Sequence, residues 1–185
     1  MANGDILKLS NDGKTVIGVK DSWVKSITVP DGVTGIGDRA FYCCSLQSID
    51  IPDSVTIIGS SAFYCCSSLQ SIDIPNSVTI IGDYAFYGCF SLQSINVSKN
   101  NKHFASVDGI LFNKDLTTIV RFPQKYDVKE YVIPDSVTQI GNNAFSYCSS
   151  LQSIVIPDGV TEIGDSAFSG CTSLRSIDIP NSVTK

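Results

Sequence analysis

Apolar and polar positions along this chain follow one recurring line. In Leu69-Gln70-Ser71-Ile72-Asp73-Ile74, Ile72 and Ile74 alternate with Ser71 and Asp73 behind an apolar Leu69, a period of two that predicts a strand with one buried face. Pro75 closes that strand, because proline has no N–H to offer a ladder. The next apolar pair, Val78 and Ile81, is three residues apart and predicts a tight extended-to-turn segment rather than a second strand. Gly82 then predicts either a positive φ or close packing on the next coil. Asp83, of a type that caps helices and recurs as Asp38, Ser60, Asn142 and Asp165, comes two positions before Ala85-Phe86. That order predicts one short helical turn per coil, with Ala85, Phe86 and Cys89 pointing inward.

The line repeats with the spacing of its prolines. Pro52 to Pro75, Pro134 to Pro157 and Pro157 to Pro180 are each 23 residues, Pro30 to Pro52 is 22, and only Pro123 falls outside the series. A period near 23 over 185 residues predicts a single elongated stack, residues 1–185, of about eight coils. About eight inward positions per coil are too few for a core, so stacking must supply the rest. Strands of successive coils would form a parallel sheet at about 4.8 Å spacing, and the connection rule for parallel strands makes the superhelix right-handed. The expected class is therefore α/β, a right-handed solenoid with a parallel sheet on one face, short helical turns and hairpin additions.

Two stretches break the period. Pro75 to Pro134 is 59 residues, and within it Val107-Asp108-Gly109-Ile110-Leu111-Phe112 and Thr118-Ile119-Val120-Arg121-Phe122 flank a polar turn, which predicts a side hairpin. The N-terminus reads as a second copy, with Asp5 to Leu9, a turn at Asn11-Asp12-Gly13, and Thr15 to Val19. The layout is then 1–25 an N-terminal hairpin cap with Trp23 covering the first coil, 26–97 repeats, 98–130 a hairpin insertion, and 131–185 repeats stopping in mid-repeat.

The pattern Leu-x-x-Ile-x-Ile-Pro-x-x-Val-x-x-Ile-Gly-x-x-Ala-Phe-x-x-Cys, with its Asp108-Gly109-Ile110-Leu111-Phe112 module, resembles the BspA-type leucine-rich repeat over residues 26–97 and 98–184. The resemblance implies a leucine-rich-repeat solenoid of the cell surface or of secreted proteins in bacteria and some protozoa, associated with adhesion to host or microbial proteins. Fold alone does not choose a ligand.

Charge and chemistry narrow the classes further. A net charge of −5 leaves no basic stripe for a nucleic acid. No run of 18 apolar residues is present and Met1 to Asp5 is too polar for a signal peptide, so neither membrane insertion nor a leader is expected in this chain. Cys44, Cys66, Cys89, Cys148 and Cys171 share a repeat column and read as buried thiols. Cys43 and Cys65 share the preceding column with Gly88, Tyr147 and Gly170, where exposure, or a Cys43–Cys65 disulfide between neighbouring coils, is the expectation. No Cys-x-x-Cys pair suggests zinc. The one histidine, His103, is expected in a solvated loop, and Ser71, Ser94, Ser153 and Ser176 recur with the repeat rather than beside a base. No catalytic residue, metal or cofactor is assigned.

Binding is the stronger class. The outward strand positions are Ser26 and Thr28, Ser48 and Asp50, Ser71 and Asp73, Ser94 and Asn96, Glu130 and Val132, Ser153 and Val155, Ser176 and Asp178. They form a candidate face for a protein ligand, such as a basic segment, or for weakly held Ca²⁺. The near-identity of the strands at 48–52 and 71–75 favours the alternative of a structural spacer with no ligand of its own. Asn96-Val97-Ser98 is a glycosylation sequon. Leu174, Ile177 and Ile179 at the uncapped end are expected to support a weak tail-to-tail homodimer.

Overall fold

A computed structural model describes residues 6–185; Asp5, at the start of the first predicted strand, lies outside them. Strands stack in two columns. The one anticipated from Leu-x-Ser-Ile-x-Ile contains β3 (Ser26–Thr28), β5 (Ser48–Asp50), β7 (Ser71–Ile74), β9 (Ser94–Val97), β13 (Glu130–Val132) and β15 (Ser153–Val155). They pair in parallel as β3–β5, β7–β9 and β13–β15, with Ile27 opposite Ile49, Ile72 opposite Ile95 and Tyr131 opposite Ile154.

The second column was not expected to be a strand. β4 (Gly35–Ile36), β6 (Ile57–Ile58), β8 (Ile80–Ile81), β14 (Gln139–Ile140) and β16 (Glu162–Ile163) are only two residues each, too short for alternation to be visible in the sequence. They nevertheless form the longer ladders. β1 (Leu7–Leu9) and β2 (Thr15–Val19) make an antiparallel hairpin that continues in parallel through β4 and β6 to β8. β10 (Phe104–Val107), β11 (Ile110–Asn113) and β12 (Thr118–Arg121) form an antiparallel meander that continues through β14 to β16. The two hairpins thus enter their sheets in the same way, as their sequence likeness suggested. Trp23 does not cap the first coil, being 78% exposed.

No helix occurs among the described residues. The Ala-Phe segment is a chain of tight turns instead. Ala40 N–H, Tyr42 N–H and Cys44 N–H donate three residues back to Gly37, Arg39 and Phe41, while Arg39, Phe41 and Cys43 donate to Ser60, Ala62 and Tyr64 of the next coil. Half of the amides therefore run along the stack, and a helix would need all of them within the coil. Positive φ at Arg39 and Cys43, Ser61 and Cys65, and Tyr84 and Gly88 turns alternate groups outward. The residues read as helix caps also serve the neighbouring coil. Asp38 accepts from Ser60 N–H at 2.7 Å and Asn142 from Asp165 N–H at 2.8 Å.

Gly82 has the packing role rather than the conformational one, and toward the preceding coil. A Cβ there would lie 2.5 Å from the backbone nitrogen of Ser60 and 2.7 Å from the carbonyl carbon of Gly59. Backbone against backbone cannot yield, so only glycine fits.

Phenylalanines count the turns. Phe41, Phe63 and Phe86 stack with centroids 5.2 and 5.7 Å apart, and Phe122, Phe145 and Phe168 stack at 4.9 and 5.2 Å. That gives six turns rather than eight, because the N-terminal hairpin takes up chain without adding a turn and the insertion supplies just one. Phe122 takes the phenylalanine position, and its N–H donates to Ala144 as Phe41 N–H does to Ala62. The insertion is consequently not a side hairpin. β11 is buried along Ile110, Leu111 and Phe112; Leu111 belongs to the core of residues 7–95, whereas Ile110 and Phe112 belong to that of residues 110–167. One strand buried on both faces separates two cores. Its turn, Asp108-Gly109, has positive φ at both residues (51° and 79°), the conformation of a two-residue hairpin matched to strand twist. Gly109 rests on β9, accepting from Ile95 N–H, and a Cβ there would come within 2.8 Å of Ser94 Cβ.

Candidate binding surface

The strand face is assembled only in part. Thr28, Ser48, Asp50, Ser71, Asp73, Asn96, Glu130, Val132 and Val155 are exposed, as expected, while Ser94 and Ser153 are half-buried. Ser176 and Asp178 are exposed but lie outside any strand. The Asp108-Gly109 turn occupies the edge of β9, and β13 pairs only with β15, so Asn96 and Val132 are not neighbours on one sheet. Much of the polar capacity is spent internally. Ser48 Oγ donates to Ser26 Oγ at 3.0 Å, and Asn96 Nδ2 donates to Asp73 Oδ1 at 2.8 Å. No group of three His, Cys, Asp or Glu side chains able to hold a metal ion is found among the described residues. His103 is exposed, and its backbone N–H donates to Asn101.

A different surface lies along the turns. The residue after each phenylalanine of the first core is Tyr42, Tyr64 or Tyr87, and these rings stack at 5.0 and 5.1 Å with interplanar angles of 8° and 21°. Tyr84 and Tyr147 meet Tyr87 edge-on at 5.8 and 5.5 Å, and Phe90 meets Tyr147 at 5.8 Å. Tyr42, Tyr84 and Phe90 remain 47%, 52% and 50% exposed. Six aromatics thus make one continuous strip, exposed at Tyr42, Tyr84, Phe90 and Tyr147 and half-buried at Tyr64 and Tyr87, on a chain with 16 Phe and Tyr in all. The Tyr147 side chain, then partial burial, pushes the Tyr87 phenol up to about 12. The sequence carried the signal in Phe-Tyr at 41–42, 63–64 and 86–87; it was hidden because the tyrosine sits beside a core residue and reads as part of it.

The strip ends at a cleft of about 250 Å³ between the two cores, lined by Phe86, Tyr87, Thr118, Arg121, Asn142 and Asn143 among others. In the second core Ser146 stands where the first has tyrosine, and the small residue leaves room for Arg121. The Arg121 guanidinium is buried; one amino group donates to the Asn143 carbonyl and to Ser146 Oγ at 2.8 Å, the other to the Ser146 carbonyl at 3.4 Å. Its Nε–H has no acceptor. Among the described residues the sole ion pair is Lys185 with Glu162. Desolvation lowers the Arg121 pKa from its ordinary value.

All seven cysteines are free. Those of the common column do more than fill space. Cys66, Cys89 and Cys171 Sγ donate to the carbonyls of Phe41, Phe63 and Phe145 at 3.0, 3.2 and 3.0 Å, tying each turn to the one before. Burial holds the thiols of Cys44, Cys89 and Cys148 up, to about 11, 12 and 12. In the native protein Cys43, the exposed one, is expected to react first with a thiol reagent, the half-buried Cys65 more slowly, and all seven in denaturant; three or fewer in denaturant would mean disulfides. Raised folded pKa values mean that the thiols ionise first in the unfolded chain. The urea midpoint should hold below pH about 9 and fall as pH rises from there toward 12.

Comparison with known proteins agrees with this architecture. A family profile described as the BspA type leucine rich repeat region matches in six copies, over residues 20–107 and 118–185. No curated protein matches. Among solved structures, a leucine-rich repeat protein from Eubacterium ventriosum is similar, with 33% identity and a TM-score of 0.74 over 87% of this chain and 49% of that one. A leucine rich cell surface protein from Faecalibacterium prausnitzii has 31% identity and a TM-score of 0.66 over 87% and 49%. The pneumococcal vaccine antigen PcpA, 24% identical with a TM-score of 0.70 over 95% and 54%, shares the fold. The chain spans about half the length of these proteins.

Proposed function

Because the chain belongs to the BspA-type leucine-rich repeat family, we propose that it is a non-catalytic protein-binding module of the cell surface, with the aromatic turn edge as its contact surface. The strip from Tyr42 to Phe90 carries this reading. Tyrosine and its neighbours combine large apolar area, few rotatable bonds and a hydrogen-bonding tip, the properties of interface anchors, and contiguous exposed apolar patches mark interaction sites. Stacking on neighbours fixes Tyr64 and Tyr87 before any partner arrives, so little side-chain entropy remains to be lost on binding. The strand face is the weaker surface, since Ser26, Ser48, Asp73 and Asn96 satisfy one another. Surface location draws support from the cell surface protein of Faecalibacterium prausnitzii to which the chain is similar.

The reading is tested with peptides selected from a displayed random library on the intact protein. Tyr64→Ser is expected to weaken the selected peptides at least about tenfold, the loss of one anchor worth about 1.4 kcal/mol or more, while Asp50→Lys leaves them unchanged. Peptides that ignore Tyr64→Ser and are lost with Asp50→Lys would transfer the site to the strand face. A library that yields no binder to any face would favour the spacer role suggested by the near-identical strands β5 and β7.

A further inference from the structure

Arg121, a cation that none of its hydrogen-bond partners neutralises, forms part of the wall of the cleft between the two cores. Arg121 is 5% exposed, yet none of its hydrogen bonds goes to a carboxylate; its acceptors are two backbone carbonyls and a serine hydroxyl. A buried guanidinium ordinarily has an ionic partner, because an unpaired charge loses its hydration with nothing to replace it. Here the Nε–H is also left without an acceptor, in a residue that forms part of the cleft wall. Two independent deficits, one of charge and one of hydrogen bonding, fall on one side chain beside an open volume.

The remaining lining states what would satisfy both. Asn142 and Asn143 add amide groups, Ile81, Phe86 and Val120 add an apolar wall, and Asp83 is the one acidic side chain of the lining. We propose that this cleft is a binding site for a carboxylate attached to an apolar body, taken from a partner polypeptide and neutralised by Arg121. A monoanion adds one negative charge beside Asp83, which also lines the cleft, where a phosphate dianion would add two. The space of about 250 Å³ admits one side chain rather than a folded element. Tyr84 and Tyr87 belong to both the cleft and the aromatic strip, so a segment lying on the strip would reach Arg121 at its end. Only the source of the carboxylate rests on the proposed role of the strip; the anion site stands on Arg121 itself.

The test reads the Arg121 Nε–H resonance of the intact protein by NMR during titration with sodium formate, against sodium chloride at equal ionic strength. Formate is expected to shift that resonance saturably, with chloride giving less than a tenth of the change. Formate should also raise the melting temperature of the wild type but not of Arg121→Met. An acetylated tripeptide with a free C-terminal phenylalanine should then bind at least tenfold more tightly than its amide if the source is a chain terminus. A peptide amide bearing an internal glutamate should exceed both if the source is a side chain. The wild-type NMR arm remains decisive even if Arg121→Met fails to fold. Equal shifts with formate and chloride, or none with either, would overturn the site. A formate response that persists in Tyr64→Ser keeps the anion site apart from the fate of the strip.

Discussion

Truncating Phe63 to alanine is expected to cost about 3–5 kcal/mol, enough to remove a large part of the stability of a domain this size. Phe63 is fully buried and stacks on Phe41 below and Phe86 above, so the cavity opens in the middle of the first core and neither neighbour can relax into it. Phe86→Ala should cost less within the same range, since Phe86 stacks on one phenylalanine and borders the cleft. Urea melts of the two variants check both values. A Phe63→Ala change within error of the wild type would mean the ladder does not hold the turns together.

Asn101→Ala is expected to be comparably severe, at about 3–5 kcal/mol. The side chain of Asn101 is wholly buried; its Nδ2 donates to the carbonyls of Pro75 and Val78 at 2.8 and 2.9 Å, and its Oδ1 accepts from the N–H groups of His103 and Phe104, both at 2.8 Å. Three backbone groups lose their partner at once, each costing about 1 kcal/mol or more when left unsatisfied, and the Pro75 carbonyl keeps just a long bond from Val78 N–H at 3.4 Å. The loss falls on the junction where the chain leaves the regular turns for β10. Native-state hydrogen exchange of this variant should therefore show residues 101–107, through β10, opening before β11 and the two cores it separates, and wild-type protection at those residues would contradict the anchoring role.

The repeat column was legible because burial imposes it at every turn: Leu69, Ile72, Ile74, Val78, Ala85, Phe86 and Cys89 are all buried as the pattern required. Other features were hidden for physical reasons. Asp38 and Ala40-Phe41 look like a helix start, but amides of 39, 41 and 43 that donate to the next coil leave no helix to form. Local composition cannot announce a partner 22 residues away. Asn101 reads as a polar loop residue, since nothing in Lys99-Asn100-Asn101-Lys102 separates the buried amide from the exposed one. β11 looks like half of an ordinary hairpin because two cores on opposite faces produce a plain apolar run, Ile110-Leu111-Phe112. The candidate strand positions were nearly all exposed as read, yet exposure alone did not reveal that Ser94 lies under Gly109 or that Asp73 and Asn96 bond to each other.

Partners are expected to be held at the aromatic turn edge. Amide hydrogen exchange of the protein with a library-selected peptide bound tests it most directly. Protection is expected to concentrate at the turns, residues 38–43, 60–65 and 83–90, leaving 48–50, 71–74 and 94–97 at their free-state rates. Protection confined to those strand residues, with the turns unchanged, would contradict it.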